Sequence, residues 1–450
     1  MAVVNPTAGM SPSDAVDHIR SVLDITIRIS QVLFANGAGA EDTVAAMQAV
    51  TRAYGLRGVD ADVTYSLITL TWENPATFET VSRSRNVKYR VLDYAKLTRA
   101  SNLITRMIDD PPNLRQARRL VASIVTAPPI YPRWLRSAGW SLVGAGAAFL
   151  LGGGLIVAIA SFVATLLVDL VSSALAKRRV PVFYQSFAGG LIGPIVAAVV
   201  RLIDPGVNAS LVVVATIIML LAGVTTFGAV HDTLAGFYVT GTARLVEAIV
   251  ITAGLVAGVL GSTLLLGRFG LVLHIDPASS GSISTLPTQL AASVVIVIGF
   301  ALASQIPARA FWAVALLGAV AEAVYALSVG AGVGIVFASA AAAVVAGLLA
   351  AIVVQIVRIP PLVAVVAALV PLVPGLILFT GLLQVADSDI AGLLSLLSAA
   401  AIAAALAAGA ILGQYLVQMT LGPARKLQQR FVVPLLAVPV RLGRGRSEKV

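Results

Sequence analysis

The chain is predicted to be an α-helical protein that crosses a membrane about ten times, as two groups of five helices, with an N-terminal α+β domain on the cytoplasmic side. From about residue 139 to residue 418 almost every residue is apolar, and short polar gaps cut this stretch into runs. Each run is about 17–25 residues long, enough for a helix to span roughly 30 Å of hydrocarbon. The composition agrees, because 58% of the residues are hydrophobic.

The first 110 or so residues carry charges at ordinary density and hold no run long enough to span a bilayer. We assign residues 1–112 to the cytoplasmic α+β domain. Apolar residues at helical spacing predict helices in this domain, and alternating apolar and polar residues predict strands. The predicted elements are helices at 14–34, 41–54 and 93–108 and strands at 62–72 and 86–91, paired across a turn at 73–78.

This domain lacks the motifs of common enzymes. It has no Gly-x-Ser-x-Gly elbow, no phosphate loop and no His-Glu-x-x-His sequence. The chain has no cysteine and only three histidines, which excludes disulfides and thiolate metal sites and leaves little for an imidazole centre. We therefore expect no cofactor and no metal, and favour a regulatory or assembly role for the domain over catalysis.

The rest of the chain divides by composition into a basic, proline-containing linker, two transmembrane halves, the extracytoplasmic loop between them and a basic cytoplasmic tail. In that order these are residues 113–138, 139–266 and 289–418, 267–288, and 419–450. The first span is short and ends at three glycines, so a re-entrant segment is the alternative there. The predicted spans lie at about 139–152, 155–176, 183–203, 208–228, 243–265, 289–304, 310–328, 333–357, 361–383 and 391–417.

Basic residues alternate between the two sides of these spans. Residues 177–179, Arg309 and Arg358 fall on one side, together with the basic linker and tail, whereas Asp204 and Asp276 fall on the other. The positive-inside rule then places both termini in the cytoplasm of a multi-pass plasma-membrane protein. The tail is expected to lie on lipid, because stacking aromatics suited to nucleic acid are missing apart from Phe431.

The densest group of ionisable residues within the apolar part lies between residues 222 and 247. Charged side chains inside a bilayer usually face a cavity or a partner. The loop is also rich in threonine and glycine, unlike an ordinary solvated turn, although a cytoplasmic loop with a local ion pair is the alternative. The candidate residues are Gly223, Thr225, Thr226, Thr240 and Arg244 for substrate and His231, Asp232 and Glu247 for proton coupling.

A second interruption occurs at Pro374 and Gly375, which we add to the candidate substrate-binding residues because proline and glycine break a helix. Gly223 and Phe227 match Gly375 and Phe379 in spacing, which suggests an internal repeat of five spans, here interpreted as parallel. Chance similarity in a glycine-rich sequence is the alternative. Asp169 and Glu322 lie within spans and are secondary candidates for proton handling.

With these segments in place, the chain resembles the threonine/serine exporter family over nearly its whole length. The resemblance implies a cytoplasmic domain followed by ten spans, and export of small hydroxy amino acids by the proton motive force. Ala222 departs from the pattern, since a proline often precedes the glycine of the fourth span. The matching stretches are residues 32–43, 66–70, 90–94, 231–247 and 372–375.

We therefore predict a secondary active transporter that exports threonine or serine in exchange for protons. The expected partners are a small amino acid, protons and lipid, without nucleic acid, and homo-oligomerisation stays open. The alternatives are export of another small acid such as a dicarboxylate, a passive channel, a membrane enzyme acting through the N-terminal domain, and a signalling or scaffold protein.

Overall fold

The structure is a computed structural model that describes residues 12–74, 77–87, 90–218, 223–271, 285–386 and 388–420. These residues are mostly helical. The basic tail beyond residue 420 and most of the predicted extracytoplasmic loop, Asp276 included, lie outside the described residues.

Residues 12–109 form a unit that we call the N-terminal module. It contains three helices and a three-stranded antiparallel sheet in the order β1-β2-β3. The three predicted helices are confirmed, and their apolar faces bury Leu23, Phe34 and Met47 against Ile68 and Leu70 of the sheet. The elements are α1 (Pro12–Ala35), α2 (Ala40–Ala53), β1 (Val59–Thr64), β2 (Leu67–Glu73), β3 (Thr80–Asn86) and α3 (Tyr94–Asp109).

The predicted strands were partly wrong. The run 62–72 is two strands, because Tyr65 and Ser66 form a two-residue turn in which Tyr65 has φ 42°. The alternation of apolar residues continues through this turn, and no glycine or proline marks it. The turn near residues 73–78 is confirmed, but β3 ends at Asn86, where the second predicted strand was expected to begin.

The stretch predicted as a linker is largely helical. It holds α4 and the beginning of α5, and Asn113 caps α4 by accepting a hydrogen bond from the Gln116 amide. The helices after the module are α4 (Leu114–Val125), α5 (Arg133–Leu150), α6 (Leu155–Lys177), α7 (Val182–Ile203), α8 (Ala209–Ile217), α9 (Gly223–Leu234), α10 (Tyr238–Arg268), α11 (Leu286–Ala303), α12 (Phe311–Gly330), α13 (Ile335–Val357), α14 (Pro361–Leu369), α15 (Gly375–Ala386) and α16 (Ala391–Thr420).

Within the described residues, seven helices are long and apolar enough to cross a membrane, and an eighth span is obtained if α14 and α15 count as one. Large apolar side chains such as Leu264, Phe337 and Ile356 remain exposed on these helices, as expected for a surface that contacts lipid. The chain is therefore a polytopic membrane protein. Ten crossings stay a prediction, because α5, α8 and α9 are not among the seven.

Two predicted spans are broken helices. A 3-10 turn at Val370–Leu372 follows α14, and the helical axis bends by 51° before it continues in α15. Pro371 and Pro374 lie at this break and cannot donate backbone hydrogen bonds. The predicted fourth span is divided between α8 and α9, and residues 219–222 between them are not described.

Helices of the first half (α5 to α10) and of the second half (α11 to α16) begin at a nearly constant separation. α5 starts at residue 133 and α11 at residue 286, 153 residues later. A 3-10 turn at Ala308–Ala310 precedes α12 and begins 153 residues after α6. The remaining pairs, α7 with α13, α8 with α14, α9 with α15 and α10 with α16, begin 152 or 153 residues apart.

The direction of the first helices corrects the parallel relation that we assigned from sequence. A methyl group on Gly139 would lie 2.7 Å from the Gly299 carbonyl oxygen, and one on Gly146 would lie 3.2 Å from that of Ala292. The residue numbers rise along α5 as they fall along α11, so these corresponding helices are antiparallel. Five crossings is an odd number, so a second group of five begins on the opposite side of the membrane.

Candidate functional site

The segment between His231 and Glu247 is a helical hairpin rather than a long solvated loop. α9 continues to Leu234, Gly236 makes the turn with φ 89°, and α10 begins at Tyr238. The N-terminal module packs on this hairpin.

A buried ion pair joins the two helices of the hairpin. Arg244 Nη1 lies 2.8 Å from Asp232 Oδ2, and the two side chains are 8% and 0% exposed. The backbone N–H of Ala40, at the start of α2, donates to Asp232 Oδ1 at 2.9 Å. Arg244 also donates to the Ala38 carbonyl oxygen at 3.3 Å. The charge of Asp232 is thus met by both a cation and the N-terminus of a helix, which favours the carboxylate.

Close approach of the module requires glycine at position 39. A methyl group there would lie 3.3 Å from Asp232 Oδ1 and 3.6 Å from His231 Nδ1, so a larger side chain would separate α2 from α9. This gives a physical role to one glycine of the stretch 32–43, whose pattern carried part of the family resemblance.

Thr240 attaches the sheet to the hairpin. Its hydroxyl donates to the Val63 carbonyl oxygen at 3.0 Å and accepts from the Tyr65 amide at 3.0 Å. Both hydrogen-bonding capacities of this hydroxyl are used in docking the β1–β2 turn, although we predicted it to line the substrate path.

Arg90 of the module is held between two aromatic rings. Its guanidinium carbon lies 4.6 Å from the centre of the Phe34 ring and 4.6 Å from that of Tyr65, and it donates to the Tyr65 carbonyl oxygen. Burial, with the nearby Arg244 charge, lowers the pKa of Arg90 to about 10, so the group stays cationic at neutral pH. Glu247 is its acidic neighbour and also contacts the Tyr65 phenol.

These groups surround a cavity of about 210 Å³ between the module, the hairpin and α14, which we call the junction cavity. Arginine and carboxylate groups share its wall with aromatic and aliphatic ones. The described lining residues are Gly37, Gly39, Arg90, Val91, Leu92, Tyr94, Val224, Thr225, Phe227, Gly228, His231, Arg244, Glu247, Leu362 and Val366.

Two further acids lie beside the cavity, in the first turn of α2. Burial raises the pKa of Glu41 to about 7, helped by the nearby charges of Asp42 and Asp232. Burial also raises the pKa of Asp42, against the opposing effect of His231.

The structure brings together four of the predicted site residues in the cavity wall, namely Thr225, His231, Arg244 and Glu247. Asp232 lies directly behind Arg244, and Thr226 is buried in α9. Gly223 and Gly375 each begin a helix after a break, but the packing around them lies outside the described residues. Pro374 is buried at the second break and is not among the described lining residues.

Sequence reasoning missed the contribution of the module. Arg90 and Phe34 lie far from residues 231–247 in sequence, and only the docking of the module brings them to the cavity. Both belong to stretches on which the family resemblance depended, and this was the available signal.

Comparisons with known proteins agree with this organisation. Two models of the threonine/serine exporter family (ThrE) match the chain, one over residues 24–266 and the other over residues 289–416. The boundary between the two matches falls between α10 and α11, where the halves meet.

Two curated proteins are similar to the chain over most of its length. A "Probable threonine/serine exporter" of Mycobacterium tuberculosis is 32% identical over 407 residues, which cover 89% of this chain and 77% of that protein. The "Threonine/serine exporter" of Corynebacterium glutamicum is 27% identical over 440 residues, which cover 93% of this chain and 88% of that protein. No solved structure matches the chain.

Proposed function

Because the chain belongs to the threonine/serine exporter family, we propose that it exports threonine and serine through the junction cavity, driven by the proton motive force. Members of this family are transporters, and the chain is accordingly a transporter and not an enzyme.

The observation that carries the proposal is the presence of both charges around one small cavity. A free amino acid is a zwitterion, so it needs a cation for its carboxylate and an anion for its ammonium group. Arg90 and Glu247 both line the cavity, and the Thr225 hydroxyl is available for a hydroxylated side chain. Arg244 holds Asp232 in place and adds to the positive field that the substrate carboxylate meets.

Export against a gradient requires coupling to another ion, because a zwitterion has no net charge for the membrane potential to act on. A proton that enters down about 100 mV releases roughly 2.3 kcal/mol. A tenfold concentration ratio costs about 1.4 kcal/mol, so one proton supports a ratio of roughly fifty. Proton exchange for substrate is thus sufficient to relieve an intracellular excess.

In this mechanism Asp232 or Glu247 binds and releases the proton, with His231 beside them in the cavity. Protonation of Asp232 would remove its attraction to Arg244 and weaken its hydrogen bond from Ala40. Protonation of Glu247 would remove the anion that meets the substrate ammonium group. Either event links proton binding to substrate release, as alternating access requires.

The proposal includes ten spans in two inverted groups of five, with both termini in the cytoplasm. The module docks on the α9–α10 turn and on Ser304 after α11, whose carbonyl oxygen accepts from the Tyr94 amide at 2.9 Å. Arg309 lies in the same loop as Ser304 and donates to the Val357 carbonyl oxygen at 2.9 Å. All these groups fall on the side that the basic residues mark as cytoplasmic.

The test is threonine transport by the purified full chain in proteoliposomes with an imposed pH gradient. Asp232→Asn and Glu247→Gln should each slow proton-driven transport by at least about tenfold, the effect of removing a proton-transfer group. Asp204→Asn is the matched control, since Asp204 caps a helix end outside the cavity and should behave as wild type. Undiminished proton-driven transport in both site variants would remove these acids from the mechanism.

A further inference from the structure

Glu322 is a buried acid that the junction cavity does not use. It lies in α12 with 4% of its surface exposed. Its Oε2 atom has no hydrogen-bond partner within the described part of the chain, and no ion pair among the described residues includes it. An unpaired carboxylate within hydrocarbon is unfavourable, so the environment favours the uncharged acid, which carries a proton.

The neighbours of Glu322 offer no compensating charge. Tyr325 on the same helix is the titratable group beside it. The helices that pack on α12 are α11, α13 and α14, and none of the three carries an Asp, Glu, His, Lys, Arg or Tyr.

Glu322 lies level with the broken span. A methyl group on Gly318 would lie 3.7 Å from the Ala368 carbonyl oxygen near the end of α14. Glu322 is one helical turn farther along α12, about 6 Å, and α12 contacts the 3-10 turn at Val370–Leu372. Pro371 has no amide hydrogen for the Ala367 carbonyl oxygen, and unwound backbone of this kind coordinates ions in other transporters.

The same helix α14 connects this region to the junction cavity. Leu362 and Val366 line the cavity, and Ala368 marks the approach to Glu322. Glu322 therefore lies deeper than the cavity, on the side away from the module.

Building on the proposed function, we propose that Glu322 is a second proton site, which accepts the proton entering from the extracytoplasmic side. The carboxylate binds one proton when the pathway is open to that side. It gives up the same proton toward the junction cavity when the pathway is open to the cytoplasm. No other bond changes.

Asp169 provides a matched control. The spans Leu155–Lys177 and Ala308–Gly330 both have 23 residues, and Asp169 and Glu322 each lie 14 residues after the first one. Asp169 is half-buried and accepts a hydrogen bond from the Ser137 hydroxyl at 2.5 Å, so this equivalent acid has a partner where Glu322 has none.

The experiment compares wild type, Glu322→Gln, Glu322→Asp and Asp169→Asn in proteoliposomes. Two quantities are measured for each: threonine accumulation driven by a pH gradient, and exchange of labelled for unlabelled threonine at equal pH. Glu322→Gln should lose gradient-driven accumulation by at least about tenfold and keep exchange. Glu322→Asp should keep accumulation with an altered pH profile, and Asp169→Asn should keep both activities.

Gradient-driven accumulation by Glu322→Gln equal to that of wild type would overturn the inference, and so would loss of exchange together with accumulation in Glu322→Gln. A wild type that does not respond to the gradient would instead overturn the proposed proton coupling, and this inference with it. The wild-type measurement thus distinguishes the two failures.

Discussion

The two halves of the membrane region share the succession of their helices but differ in the chemistry at one corresponding turn. In the first half, Asp232 lies nine residues after the start of α9 and pairs with Arg244 of α10. In the second half, Gln384 lies nine residues after the start of α15, and its Oε1 accepts from the Ser395 hydroxyl at 2.7 Å. A charged, buried pair and a neutral hydrogen bond therefore connect equivalent pairs of helices.

This difference separates what holds the bundle together from what the bundle does. Corresponding helix pairs pack in both halves, such as α7 with α10 and α13 with α16. The polar docking of the module by Ala38, Ala40 and Tyr65 uses the charged turn of the first half. The repeated helices provide the scaffold, and the departure from symmetry provides the site.

The largest expected effect comes from breaking the charged pair. Arg244→Ala leaves Asp232 buried without its cation, which costs about 3–5 kcal/mol for such pairs, so we expect a large drop in thermal stability and loss of threonine transport. Ser395→Ala removes one neutral hydrogen bond, worth about 0.6 kcal/mol in membrane proteins, and should change little. Thermal unfolding in detergent checks both, and equal effects would contradict the contrast between the halves.

The helix packing should respond alike in the two halves. A methyl group on Gly258 would lie 2.1 Å from the Phe187 carbonyl oxygen, and one on Gly413 would lie 2.1 Å from that of Val344. Gly258→Ala and Gly413→Ala should each cost about 1–3 kcal/mol of stability, as overpacking does. Gly267→Ala is the control, because a methyl group there meets nothing within 4 Å. A large effect in only one half would argue against equivalent packing.

A smaller effect is expected where the module adds its own charge to the site. Arg90→Lys keeps the cation but loses the planar contact with Phe34 and Tyr65, worth about 0.5–2 kcal/mol. Since 1.4 kcal/mol is a factor of ten, we expect the KM for threonine to rise by up to about tenfold with little change in kcat. Transport kinetics test this against Arg57→Lys, an exposed site outside the cavity, and an unchanged KM would remove Arg90 from the substrate wall.

The smallest effect is a pH dependence at the docking surface. The pKa of Glu41 rises to about 7 in the folded protein from an ordinary 4.5, so the folded state favours its protonated form. Its stabilising contribution is complete below about pH 4.5 and is lost as the pH rises through 7. Glu41→Gln should flatten the fall in melting temperature between pH 5 and pH 8, while Glu79→Gln, in an exposed turn, should not. An identical pH profile for Glu41→Gln and wild type would contradict this account.

The sequence predicted those parts of the fold that the bilayer imposes. Apolar runs of spanning length became helices because backbone groups in lipid must be satisfied within the helix. The turn at Tyr65 was missed because apolar alternation runs through it, and the direction of the repeat was misassigned because similar spacing carries no information about orientation.

The candidate site was predictable only on its membrane side. Asp232, Arg244 and Glu247 were found because ionisable residues in an apolar segment are unusual. Arg90 and Phe34 look like ordinary residues of a water-exposed domain until the module docks. Pro374 was selected as a helix breaker, and the structure places it at a break, level with Glu322 rather than in the described cavity wall.

The central claim, that this chain exchanges protons for zwitterionic amino acids, is tested most directly in inverted membrane vesicles. Uptake of labelled threonine, serine and a dicarboxylate is measured with and without an acid vesicle interior. We predict that threonine and serine accumulate only when the interior is acid, and that the dicarboxylate does not accumulate. Uptake of threonine that never exceeds the outside concentration, or gradient-driven uptake of the dicarboxylate alone, would contradict the account.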